Sequence, residues 1–94
     1  MRVMEGHSHI APDVLCRYAA DAAREVAGVT ALVGRHGGVK LEGGSLELHL
    51  AVEWGASLPD VGEAVQRRVV EYLAQMAEVQ PTSVDVVIHE LGKL

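Results

Sequence analysis

Histidine is the residue type in this 94-residue chain best suited to chemistry near neutral pH, because imidazole both ligates transition metals and titrates in that range. There are five. His7 and His9 stand two apart, a spacing that sends both side chains to the same side of a strand. His49 and His89 fall at polar positions of two later alternating segments. A strand order that runs the segment of His7 and His9 between the other two would gather all four on one sheet face. Such a cluster could hold a transition metal or respond to pH. The spacing matches no established metal motif, so solvated surface histidines are the plainer reading and no metal or cofactor is expected.

Other reactive groups are sparse. Cys16 is alone, which excludes a disulfide framework and a cysteine-rich zinc site, and it reads as a small buried side chain rather than a nucleophile. The pairs Gly37-Gly38 and Gly43-Gly44 open no helix and precede no Lys-Ser/Thr in phosphate-loop spacing, so turn chemistry accounts for them. No serine sits in a nucleophile-elbow context. The expectation is a protein that is not an enzyme and has no catalytic residue. With 13 acidic against 8 basic residues, a formal charge of −5, no Phe, and only Tyr18, Tyr72 and Trp54 as aromatics, nucleic acid is an unsuitable partner. Trp54 ends an alternating strand beside Gly55. Capping the core is its plain role, while an exposed Trp there would be a partner-binding anchor.

The elements that must position these residues follow from hydrophobic period. Pro12 and Asp13 suit a first helical turn, and Leu15, Tyr18, Ala19, Ala22 and Val26 recur as an apolar stripe before Gly28, placed as a C-cap. Asp13 and Arg17 stand four apart in the favourable acid-first order. Val29 to Val33 reads as a strand followed by a break at residues 34–38. Two alternating segments then flank Gly43-Gly44, the pattern of a tight hairpin, in a register that opposes Leu41 to Leu46, Val39 to Leu48 and Lys40 to Glu47. A second helix starts near Pro59, buries Val61, Val65, Val69, Tyr72, Leu73 and Met76, and stops before Pro81. The last strand spans Val84 to His89, and a short first strand is expected over His7 to Ile10.

The resulting order is β-α-β-β-α-β in one domain covering residues 1–94. The fold class is α+β, a two-layer sandwich with two helices on one face of a mostly antiparallel sheet, ferredoxin-like or closely related. In the ferredoxin-like order the first strand runs between the third and the last. An alternative makes 29–33 an independent strand. No apolar run reaches the roughly 20 residues of a membrane span, and the start lacks the apolar stretch of a signal peptide. A cytoplasmic protein without direct membrane insertion is expected.

Several segments together resemble the bacterial alkaline shock, or envelope stress response, family. The strand-to-helix stretch Val52-Glu53-Trp54-Gly55-Ala56-Ser57-Leu58-Pro59-Asp60-Val61 is similar to its valine–aromatic–glycine signature. His9 to Leu15 is similar to its opening segment, Val26-Ala27-Gly28-Val29 and Val65-Gln66 to its middle, and Ser83-Val84-Asp85-Val86 to its closing strand. The resemblance implies a non-enzymatic structural or interaction protein that self-assembles as a homo-oligomer or docks an integral membrane anchor protein, peripheral to the membrane through that partner. The alternative is a small ligand- or metal-binding module using the histidine-bearing sheet face.

Overall fold

The computed structural model describes residues 11–90, in the order α1 (Pro12–Arg24), β1 (Val29–Leu32), a 3-10 turn (Arg35–Gly38), β2 (Val39–Glu42), β3 (Ser45–Val52), α2 (Leu58–Ala77) and β4 (Ser83–Glu90). The strand expected over His7 to Ile10 lies outside the described residues.

The β2–β3 hairpin adopts the register its alternation dictates, with Val39 opposite Leu48, Lys40 opposite Glu47 and Leu41 opposite Leu46. Both turn glycines take positive φ, 57° at Gly43 and 89° at Gly44, as a two-residue hairpin turn requires. Alternation then sorts the faces. Leu46, Leu48, Leu50 and Val52 are buried on one side of β3, and Glu47 and His49 project from the other.

β3 is the central strand. On one side it pairs antiparallel with β2 along Ser45 to Leu48 and with β1 along Leu50 to Val52. β1 and β2 are therefore two lengths of one edge strand, interrupted where residues 34–38 leave the ladder. The Val33 amide still donates to the His49 carbonyl at 2.9 Å before the excursion begins. Gly38 lets it close. At φ 83° its backbone lies so near β1 that a Cβ would sit 2.8 Å from the Val33 carbonyl oxygen and 2.9 Å from the Leu32 Cβ. Val29–Leu32 is thus a strand separate from β2 in sequence, yet it shares β2's edge of the sheet.

On its other side β3 pairs directly and in parallel with β4, from Ser45–Ser83 to Val52–Glu90. This corrects the expectation that a first strand runs between these two. A parallel neighbour needs a crossover, and α2 supplies it. The sheet among the described residues is thus mixed, with two antiparallel pairings and one parallel, and both helices lie on its leucine face. The α+β two-layer class holds.

α1 starts at Pro12, where a missing N–H costs nothing, with Asp13 in its first turn. Its buried side chains are Ala19, Ala20, Ala22 and Ala23, small enough to bring the helix close to the sheet and α2. The helix ends at Arg24, earlier than a Gly28 cap implies, and Gly28 instead serves the turn into β1 at φ 97°. The Asp13–Arg17 pair does not form. α2 buries Val61, Val65, Val69, Leu73 and Ala77. Met76, expected in that stripe, is half exposed; Ala77 takes its place on the inner face. Across the helix pair, Tyr18 meets Tyr72 edge to face at 5.9 Å, and Arg68 spans from above Tyr72 to Glu25 at 2.6 Å.

Candidate metal site on the open sheet face

The site is built by strand alternation. His49 on β3 and His89 on β4 both point away from the helices, because their neighbours Leu48, Leu50 and Ile88 pack into the core. In the parallel register His49 lies opposite Val87 and His89 opposite Ala51, so the two histidines are diagonal neighbours. Long side chains at diagonal positions can touch. These do: His49 Nδ1 lies 2.8 Å from His89 Nε2, with ring centroids 5.1 Å apart and ring planes tilted by 32°.

Glu47, two residues before His49 on the same face, places Oε2 3.5 Å from His49 Nε2. A carboxylate there favours the tautomer with its proton on Nε2, which leaves the Nδ1 lone pair facing His89. In that tautomer the short contact has His89 Nε2–H donating to His49 Nδ1, and the opposite pair of tautomers reverses it. Two imidazole nitrogens bound to one zinc ion at about 2.05 Å in tetrahedral geometry stand roughly 3.3 Å apart. Reaching that separation from 2.8 Å widens the gap by about 0.5 Å, removes the shared proton and turns both rings so that their lone pairs converge on the ion. The pair is therefore close to a two-nitrogen metal chelate.

Of the four histidines proposed to cluster, His49 and His89 meet, although no strand lies between theirs. His7 and His9 lie outside the described residues. His36 is in the excursion and takes no part in the His49–His89 contact. No group of three or more His, Cys, Asp or Glu side chains among the described residues is placed to hold an ion. The described residues thus offer two imidazoles with one flanking carboxylate, and further coordination positions stay open. Trp54 does not cap the core. It is 72% exposed at the strand-to-helix turn. Cys16 is half-buried, and burial, with the Asp13 carboxylate adding to it, pushes its thiol pKa up, the opposite of an activated nucleophile.

No family model matches the sequence, and no curated protein matches it. Among solved structures the chain is similar in fold to MamM C-terminal domains. A double variant of that domain aligns with TM-score 0.63 at 16% identity, covering 88% of this chain and 86% of that chain. Its copper form aligns at 0.61 and 17%, covering 86% and 87%. The zinc form of a variant aligns at 0.60 and 17%, again covering 86% and 87%. The likeness is one of fold.

This overturns the alkaline shock, envelope-stress reading. The segments that carried it are explained by geometry. Gly55 at φ 90° and Pro59 in the first turn of α2 make the strand-to-helix connection, and Gly28 sits where a Cβ would come within 3.0 Å of Val61 Cγ2. In this chain these residues are accounted for by a turn, a helix start and a close packing contact.

Proposed function

We propose that this chain is a non-catalytic metal-binding module that takes a transition metal ion on the open sheet face through His49 and His89. The single observation that carries the reading is the 2.8 Å approach of His49 Nδ1 to His89 Nε2 across the β3–β4 pair. Imidazole nitrogen suits zinc, copper and nickel, and the similar MamM domains include copper, zinc and nickel forms. Glu47 lies 3.5 Å from the other ring nitrogen of His49, the position from which a carboxylate orients a ligating histidine. With two nitrogens from the described residues and open positions beside them, the site suits reversible binding rather than permanent structural holding.

A titration with zinc tests this. The ring resonances of His49 and His89 shift together and saturate, and the melting temperature rises with zinc concentration. His49→Ala and His89→Ala each remove the response while the fold persists, since both side chains sit on an exposed face. Unchanged ring resonances at millimolar zinc would sink the proposal.

The module is further proposed to work as an assembly with a second copy of itself and beside a membrane-embedded partner. No helix among the described residues is long and apolar enough to cross a membrane, so membrane attachment through them would need such a partner. The exposed Trp54, with the partly exposed Leu58 four residues on, supplies an apolar contact of the kind that anchors interfaces.

A further inference from the structure

A cleft of about 950 Å³ lies between α1 and the 34–38 excursion, with β2 along its side. That is at the upper end of the roughly 300–1,000 Å³ typical of small-molecule sites. Its charge is the feature that sets it apart. The chain carries eight Lys and Arg against thirteen Asp and Glu. Arg2 and Lys93 lie outside the described residues, and of the six that remain, four line this one cleft: Arg17, Arg24, Arg35 and Lys40. Asp13 is the only carboxylate among the lining residues. An acidic protein thus concentrates its cations around one concavity.

Like charges held together repel unless an anion offsets them. The protein's own carboxylates do this only weakly. Arg24 pairs with Asp21 at 3.3 Å and Lys40 with Glu42 at 3.7 Å, both solvent-exposed contacts of the sort that exchange easily. Arg17 and Arg35 have no carboxylate within salt-bridge distance among the described residues, even though Asp13 is one turn from Arg17. His36 adds a further donor to the lining from a backbone held in the left-handed region at φ 56°, ψ 37°. Between these groups Ala20, Val39 and Leu41 present apolar surface.

We propose that this cleft binds a small molecule bearing phosphate groups, with Arg17 and Arg35 as its principal contacts and Lys40 and Arg24 neutralising the remaining charge. The guanidinium fork matches phosphate oxygens two at a time, and two unpaired forks around one concavity call for a ligand with more than one negative charge. The apolar surface between them accommodates the ligand's body. A nucleic-acid strand fits poorly, because no Phe, Tyr or Trp side chain lines the cleft and the charge is confined to a pocket instead of a groove. The inference rests on the cations and not on metal binding, although His49 of the histidine pair also lines the cleft, which is why the test below excludes metal.

The test is an amide-shift titration of the full chain in EDTA with pyrophosphate and with ATP, using adenosine as the uncharged control and anionic phospholipid vesicles as the membrane control. Pyrophosphate and ATP shift the amides of residues 34–38 and those around Arg17 to saturation, and adenosine does not. Arg17→Gln and Arg35→Gln each weaken binding by roughly tenfold, the scale of one lost charge-assisted contact. Added salt weakens it as well. Arg67→Gln, a cation on α2 away from the cleft, leaves it unchanged. Both cleft arginines are exposed, and thermal melting confirms that the variants fold. The proposal is overturned if millimolar pyrophosphate and ATP shift nothing. It is also overturned if Arg17→Gln and Arg35→Gln bind as the parent does, or if only vesicles bind, which would assign the cations to a membrane surface.

Discussion

The contact between His49 and His89 is held by backbone register, so its geometry does not depend on long flexible stems finding each other. Both side chains leave adjacent paired strands, and Glu47 on the same face as His49 biases which nitrogen is free. The proposed metal must displace the contact between those nitrogens, so zinc binding and the His49–His89 hydrogen bond compete. Cys16 shows the contrasting case of a potential ligand made inert. Burial first, and the neighbouring Asp13 carboxylate second, disfavour its thiolate, so at neutral pH a smaller fraction is ionised than in an unfolded chain. Iodoacetamide therefore alkylates Cys16 more slowly in the native protein than in the denatured one at pH 7.5, and the gap narrows as pH rises through the raised pKa. Equal rates in the two states would show that the thiol is as free to ionise in the fold as outside it.

At the level of elements, the excursion at 34–38 is the least regular part of the fold and depends most on one residue. Gly38 has positive φ and a Cβ position already occupied by the backbone of Val33. Gly38→Ala must therefore shift β1 or abandon the turn, and is expected to cost about 2–3 kcal/mol, read as a lowered denaturation midpoint. Gly37→Ala shares the positive φ but meets nothing within 4 Å, so its cost is smaller, and the difference isolates the close approach. The elements themselves were largely legible in the sequence. Alternation around Gly43-Gly44 specified the hairpin register, and proline marked both helix starts, because these signals are local. Met76 was placed inside because apolar character at a helical position does not distinguish i+3 from i+4 at the end of a stripe. The direct β3–β4 pairing was not legible, since sequence does not say which of two distant strands will be neighbours. That same long-range pairing creates the candidate site. Each histidine's face could be read from its own strand, but their meeting could not. The cationic cleft left still less trace. Arg17, Arg24, Arg35 and Lys40 come from α1, the excursion and β2, and along the chain they look like ordinary surface charge.

Considered as a whole, the molecule divides its surfaces by layer. The helices cover one face of the sheet, the other carries the histidine pair, and the cation-lined cleft falls at the edge where β1 gives way to β2. Trp54 stands apart from all three assignments, at the turn between β3 and α2. A large aromatic left 72% exposed gives up burial that this small core could have used, which is consistent with its burial in a complex. It is also the only tryptophan in the chain, so its fluorescence reports on that turn alone. At low concentration its emission should be that of a water-exposed indole, and raising the protein concentration should move it to the blue as sedimentation shows a heavier species. Trp54→Ala should weaken that association by tenfold or more, the size of effect expected for an interface anchor, with little change in melting temperature. Zinc adds a second handle, because an ion held by two imidazoles on an open face has positions left for ligands from another copy. Association that zinc strengthens in the parent protein, but not in His49→Ala, would tie assembly to the histidine pair. A chain that sediments as a monomer at every concentration, with and without zinc, would refute self-association through this surface and leave metal binding to stand or fall on the histidine resonances alone.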